Sequence, residues 1–168
     1  MKKIKKVAAY IFDLDGTVYV GDRLLPNAKL TISVLRRRGR KVVFLSNKPL
    51  QTREEYAHKL TGMGIPTQKT EVINSSYVLA RYLVREAPRA KVFAIGEPPL
   101  LMELQRAGLQ LIENPEEIEY VIAAFDRTFD YRKLNIAFQA LKRGARFYAT
   151  NPDRTCPVEN GEIPDAAA

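Results

Sequence analysis

Val7-Ala-Ala-Tyr-Ile-Phe-Asp-Leu-Asp-Gly-Thr-Val-Tyr19 is the stretch from which the rest of the sequence is read. Its first half is a continuous apolar run ending at Phe12, and two carboxylates, Asp13 and Asp15, follow at once. A run of that length, flanked by charge, fits a strand buried on both faces of a parallel sheet. Side chains alternate along a strand, so residues two apart point the same way. Asp13 and Asp15 are therefore expected to leave the strand's carboxyl end together, into the crevice where open α/β sheets bind ligands. Carboxylates that close repel each other and are costly when half buried. A hard divalent cation compensates them, and Mg2+ takes one or two carboxylates together with phosphate oxygens and water. Gly16 allows a sharp turn and a close approach to a ligand, and the amides after it can face an anion. Asp-Gly is also a common turn signal, so a plain strand-to-turn junction is the competing reading. An EF-hand is excluded, because the glycine at the sixth loop position and the closing glutamate are missing.

Outward from this stretch, strand and helix patterns alternate. Val20–Pro26 reads as a loop and Asn27–Arg38 as a helix, with Ala28, Ile32 and Leu35 on one face and Gly39 as its stop. Lys41–Ser46 carries a second continuous apolar run and reads as a second buried strand. Thr52-Arg-Glu-Glu55 has the pattern of a capping box and opens a helix with Tyr56, Leu60 and Met63 at helical spacing, ended by Gly64. This succession implies a parallel sheet with right-handed crossovers. The rhythm continues from Glu71. A helix capped by Ser75 or Ser76 runs to Arg85, followed by a strand over Ala90–Gly96 and a helix over Pro98–Ala107. A strand over Tyr120–Phe125, a helix over Asp130–Arg143 and a strand over Ala145–Thr150 complete the pattern. The glycine-rich signatures of dinucleotide and Walker-type sites are absent.

Composition sets the outer limits. The 168 residues suit one ordinary domain, or one domain and part of another, and 46% apolar content supplies a core. No apolar run is long enough to cross a bilayer, so a membrane partner is not expected. The start, Met1-Lys-Lys-Ile-Lys-Lys6, resembles the charged part of a signal peptide, but the apolar segment after it is short and runs into Asp13. The lone Cys156 allows no internal disulfide and suits a reducing cytoplasm. A net charge of +8 invites a nucleic-acid reading. However, the main internal cluster, Arg36-Arg37-Arg38-Gly39-Arg40-Lys41, has no interleaved aromatic on which bases could stack. Cations also favour helix C-termini, so a solvated helix end is the better account and no nucleic-acid partner is expected. The single histidine, His58, lies off the apolar stripe of its helix and reads as a surface residue.

Ser46-Asn47-Lys48 ends the second strand, in the place equivalent to Asp13 on the first. In a parallel sheet both strand ends open on the same side. A hydroxyl and exposed amides there can hold phosphate oxygens, although Ser-Asn is also a common turn start.

Asp13-Leu-Asp-Gly-Thr-Val-Tyr19, with Ser46-Asn47 about thirty residues later, resembles the first two motifs of the haloacid dehalogenase superfamily of phosphohydrolases. The resemblance implies that Asp13 is the nucleophile that becomes an aspartyl phosphate and Asp15 the general acid/base. It also implies that both contribute to a Mg2+ site, and that Gly16, Ser46 and the amide of Asn47 hold the phosphoryl group. The order of elements, with a βα insertion after the second motif, is similar to the subgroup of p-nitrophenyl phosphatases and sugar- or nucleotide-phosphate phosphatases. Ala123-Ala-Phe-Asp-Arg-Thr-Phe-Asp-Tyr131 and Ala149-Thr-Asn-Pro-Asp-Arg154 resemble that subgroup's cap signatures. The implied fold is α/β: the N-terminal part of a Rossmann-like parallel-sheet core over residues 1–73 and an α/β cap over residues 74–168. Asn151, Asp153 and Arg154 become substrate-specificity residues for a small phosphorylated metabolite, although Asn-Pro-Asp is also simply a turn-forming sequence.

The family's third motif, a lysine, and its fourth, acidic motif cannot be assigned to any residue here. The sequence thus reads as the N-terminal part of a phosphatase. The uncovered sheet edge and apolar face this leaves favour homo-oligomers or aggregation. Two other readings stand beside it. One is an incomplete, inactive chain that binds phosphate weakly or pairs with another polypeptide; the other is a basic nucleic-acid-binding module.

Overall fold

The computed structural model describes residues 7–158, 161–166 and 168. It divides into two compact units, one made of Met1–Ser46 with Arg53–Asn74, the other of Asn47–Thr52 with Ser75–Ala168.

The first unit holds β1 (Ala9–Asp13), β2 (Tyr19–Val20), β3 (Arg23–Leu24), α1 (Ala28–Arg37), β4 (Lys41–Ser46), α2 (Arg53–Gly62), a 3-10 turn (Lys69–Glu71) and β5 (Val72–Asn74). Its sheet has the order β1-β4-β5, with every pair parallel. The register pairs Asp13 with Leu45 and Ser46 with Asn74, so the ends of all three strands come together at one edge. One face of this sheet is a packed core: Val42, Phe44 and Val72 meet Ile32 of α1 and Tyr56 and Leu60 of α2. The opposite face is bare enough to leave Ile11 69% and Leu45 42% exposed. The expectation that β1 and β4 are buried on both faces is therefore corrected. An apolar run makes two-sided burial affordable to the strand, but the helices packed here, α1 and α2, cover one side only. The loop expected over Val20–Pro26 is instead a small antiparallel hairpin pairing Tyr19 with Leu24 and Val20 with Arg23.

The second unit holds α3 (Ser75–Glu86), β6 (Lys91–Ile95), α4 (Pro98–Arg106), β7 (Gln110–Leu111), β8 (Tyr120–Ala123), α5 (Tyr131–Lys142), β9 (Arg146–Ala149), β10 (Thr155–Val158) and β11 (Gly161–Pro164). A four-stranded parallel sheet runs β7-β6-β8-β9, and β10 and β11 form a separate antiparallel hairpin. On one face Val92, Tyr120 and Ile122 pack against Leu79 and Leu83 of α3 and Leu100 and Leu104 of α4. On the other, Phe93 and Val121 pack against Ala137 and Ala140 of α5. All four residues of β8 are buried. Asp130 caps α5 as its position suggested, its carboxylate accepting from the Lys133 amide at 2.7 Å.

Two ion pairs follow β8. Arg127 donates through Nε and Nη2 to the two Glu97 carboxylate oxygens, each at 2.7 Å. Lys133 Nζ donates to Asp126 at 2.6 Å, and Thr128 donates its hydroxyl to the same carboxylate at 2.7 Å.

Candidate active site

In the first unit the Asp13–Tyr19 segment folds around the carbonyl of Leu14. That oxygen accepts from the amides of Val18 at 2.9 Å, Tyr19 at 3.2 Å and Thr17 at 3.3 Å, while the Gly16 amide donates to the Tyr19 carbonyl at 2.8 Å. Gly16 sits at φ +79°, with open space where a Cβ would lie. The backbone conformation, not crowding, is what calls for glycine here. Leu14, Val18 and Tyr19 are buried in the unit's core and hold the turn down. The alternation read from the sequence is kept: Leu14 points inward, while Asp13 is exposed and Asp15 is half-buried. The strand itself stops at Asp13, and Asp15 is held by an isolated bridge to Tyr19.

Tyr19 senses both carboxylates. Burial, and then the negative charge of Asp15, with lesser effects from Tyr56, Asp13 and Asp22, pushes its phenol far above the ordinary tyrosine range. The ring therefore stays neutral beneath the acidic turn. Lys59 places its ammonium 4.6 Å from the centre of that ring and 3.1 Å from Asp22. Ser46 is buried at the end of β4 and donates its hydroxyl to the Tyr56 phenol at 3.2 Å. The sequence pattern shows Tyr56 only as part of an apolar stripe; its polar end is a partner of Ser46.

Among the described residues no group of three or more His, Cys, Asp or Glu side chains could hold a metal ion. Asp13 and Asp15 offer two hard oxygen donors. That set fits Mg2+, which completes its shell with phosphate and water, and does not fit the closed nitrogen–sulfur sites of structural zinc.

In the second unit Asn47 is the centre of a polar cluster. Its side-chain amide donates to Asp153 at 2.6 Å. Its carbonyl accepts from the Ser75 hydroxyl at 2.8 Å and from the Asn151 amide at 3.4 Å. Asn151 is buried; it also donates to Asp165 at 3.4 Å and accepts from the Asp153 amide at 2.9 Å. Two of the three specificity candidates, Asn151 and Asp153, are thus engaged with Asn47. The third, Arg154, has an exposed side chain, and its carbonyl accepts from the Asp165 amide at 2.9 Å. The sequence pattern marks Ser75 only as a helix start and carries no signal at Asp165. The bonds from Asn47 to Asp153 and Asn151 cross 106 and 104 residues, a distance over which no local pattern carries information.

Other singled-out residues have bland placements. His58 is exposed, and Cys156 is buried and outside any disulfide. Arg36, in the basic cluster, donates to Glu71 at 2.9 Å and to the Pro66 carbonyl at 2.5 Å, so it ties α1 to the chain after α2. No helix of the described residues is long and apolar enough to cross a membrane.

The chain is similar to the sugar-phosphatase AraL of Bacillus subtilis, with 41% identity over 160 residues, 95% of this chain and 59% of the relative. Among solved structures it is similar to a p-nitrophenyl phosphatase from Archaeoglobus fulgidus (TM-score 0.90, 34% identity), with 96% of this chain and 61% of that one covered. A glycerol phosphate phosphatase from Mycobacterium tuberculosis, in complex with magnesium, matches at TM-score 0.86 and 28% identity, with 95% and 48% covered. This chain therefore spans roughly half to three fifths of the length of these proteins. A family model described as haloacid dehalogenase-like hydrolase matches residues 10–110, which include the carboxylate turn and the end of β4. With that match over more than half of its length, the chain belongs to the haloacid dehalogenase-like hydrolase family.

Proposed function

We propose that the polypeptide of which this chain forms all or part is a Mg2+-dependent phosphohydrolase of small phosphate monoesters, working through an aspartyl phosphate. One observation carries the reading: two neighbouring carboxylates, Asp13 and Asp15, stay accessible at the end of a parallel strand while Leu14 between them is locked into the core. The names of the relatives favour sugar phosphates or similar phosphorylated metabolites as substrates. In this reading residues 1–73 contribute part of the catalytic core and residues 74–168 the cap. The lone, buried Cys156 is in keeping with a reducing cytoplasm.

Ionised Asp13 attacks phosphorus in line, forming an acyl phosphate as the ester P–O bond breaks. Asp15 gives its proton to the departing oxygen, and then takes one from the water that attacks the acyl phosphate and restores Asp13. The Ser46 hydroxyl, turning its one proton from Tyr56 to the ligand, and the Asn47 amide hold the phosphoryl oxygens, while Gly16, whose own amide is taken by the Tyr19 carbonyl, supplies the turn that lets the phosphoryl group approach. Mg2+ held by Asp13 and Asp15 would neutralise charge on the transferring group.

The test is p-nitrophenyl phosphate hydrolysis, with and without EDTA, by this chain and by a version extended to the length of its relatives. Clear activity in the longer protein, lost with EDTA, and negligible activity in the shorter one are expected. Hydrolysis that survives EDTA, or an equally active short chain, would overturn the metal assignment or the division of labour along the sequence.

A further inference from the structure

Asp15 stands beyond the end of β1, so its place depends on the turn that follows the strand. That turn is tied to Tyr19: an isolated bridge joins Asp15 to it, and the Gly16 amide donates to its carbonyl at 2.8 Å. Tyr19 in turn opens the β2–β3 hairpin, pairing with Leu24, while the Leu25 amide donates to the Val18 carbonyl at 3.0 Å. A hairpin of two-residue strands is too short to hold its shape by pairing alone. Lys59 of α2 meets it at two points. Its ammonium lies 4.6 Å from the centre of the Tyr19 ring and 3.1 Å from Asp22, in the two-residue loop between the paired Val20 and Arg23. The Asp22 side chain is 96% exposed, so that ion pair is screened by water and contributes little alone. The contact with the ring is screened less, because Tyr19 is buried and the Lys59 side chain is only 23% exposed. Tyr56, three residues earlier and so on the same side of α2, accepts from the Ser46 hydroxyl. One side of α2 thus meets both the carboxylate turn and the end of β4.

We propose that Lys59 is a positioning residue for Asp15. By fastening the Tyr19 ring and the loop of the hairpin to α2, it holds the turn in the geometry from which Asp15 gives and takes its proton. The inference rests on the acid/base role proposed above for Asp15. Proton transfer needs the carboxyl within hydrogen-bond reach of the oxygen it serves, and a misplacement of about 1 Å can cost about a hundredfold in rate. Lys59 acts through the turn, because its ammonium is engaged by Tyr19 and Asp22. Its loss should therefore slow the chemical step and leave binding of the ester nearly as it was.

Hydrogen exchange on the full chain reads the fastening directly. Lys59→Met keeps the apolar stem and removes the charge, and should speed exchange at the Gly16 and Leu25 amides by about fivefold or more. Exchange at the Ala124 amide, which donates to the Ile95 carbonyl in the second unit, should not change. Lys59→Arg should restore protection, since a guanidinium also stacks on a ring and pairs with a carboxylate. In the version extended to the length of the relatives, Lys59→Met should lower kcat for p-nitrophenyl phosphate by about three- to tenfold, with KM within about twofold. Lys59→Arg should recover most of that loss. Unchanged exchange at Gly16, equal acceleration at Ala124, a normal kcat beside accelerated exchange, or a loss confined to KM would each overturn the proposal. If the extended protein hydrolyses no ester even without substitution, the role of Asp15 fails instead, and the exchange rates still decide whether Lys59 holds the turn.

Discussion

β1 and β8 are short apolar parallel strands, each followed closely by aspartate, and they end in opposite circumstances. β8 is buried on both faces, and the carboxylate after it, Asp126, is buried too and ion-paired with Lys133. β1 is covered on one face, and its terminal Asp13 is exposed. Burial alone would raise the Asp126 pKa, but the Lys133 and Thr128 hydrogen bonds outweigh it and hold the carboxyl below the usual range. Position at a strand's carboxyl end therefore does not make a carboxylate reactive. What separates the two is that Asp126 is neutralised and sealed by its own unit, whereas Asp13 remains open to a ligand.

The largest effect that tests this contrast is Asp13→Asn in a version of relatives' length. Turnover of p-nitrophenyl phosphate should fall by about a thousandfold or more, because the amide keeps the shape and removes the nucleophile. The urea midpoint should barely move. Asp126→Asn should do the reverse, lowering stability by about 2 kcal/mol, since it leaves the half-buried Lys133 ammonium without its buried countercharge, while activity per folded molecule stays within about twofold. If Asp126→Asn proves the more damaging to turnover, the assignment of roles to the two aspartates is wrong.

The two sheets can also be compared through isoleucines. Ile122, fully buried in the second unit, should cost about 2–4 kcal/mol when cut to alanine, from lost burial and the cavity left behind. Ile11→Ala on the open face of β1 should stay within about 0.5 kcal/mol. Equal costs in thermal or urea unfolding would mean that the β1 face is covered in solution.

This sidedness is where the sequence stopped being informative. Val7–Phe12 and Tyr120–Phe125 look alike as apolar runs, and nothing in either shows how many helices the fold will lay over it. The carboxylate turn was legible because its chemistry is local: Asp13, Asp15 and Gly16 act through adjacent backbone. The long helices were legible from their stripes and caps, as Asp130 illustrates. The two-residue strands β2, β3 and β7 were not, because pairing in so short a strand depends on its neighbour rather than on its own pattern. Nor were the links of Ser46 to Tyr56 and of Asn47 to Asp153, which are contacts made only after folding.

A smaller effect probes the Asn47 cluster. Asp153→Ala removes the acceptor that holds the Asn47 side chain, and should raise KM for a phosphate ester by about three- to tenfold, the cost of one hydrogen bond of about 1 kcal/mol. Asp153→Asn should recover part of that, since its carbonyl can still accept. If Asp153→Ala instead changes preference among substrates with no common rise in KM, Asp153 contacts the substrate directly and the positioning role fails.

The smallest effect concerns the Glu97–Arg127 pair in the sealed unit. Hydrogen bonds from the Arg127 side chain, outweighing the opposing effect of burial, hold the Glu97 carboxyl below its usual range. A carboxyl depressed by folding contributes stability above its unfolded pKa of about 4.3, and loses it as pH falls through the lower folded value. The native chain should therefore show a steeper loss of stability below about pH 5 than Glu97→Gln. At neutral pH the variant should be weaker by no more than about 1 kcal/mol, because the Arg127 side chain is 62% exposed and water screens the pair. High salt should narrow the gap further. Urea unfolding of both proteins from pH 3 to pH 7 measures this directly. Parallel curves would show that Glu97 keeps the same proton affinity folded and unfolded, and that the pair orders the turn after β8 without stabilising it.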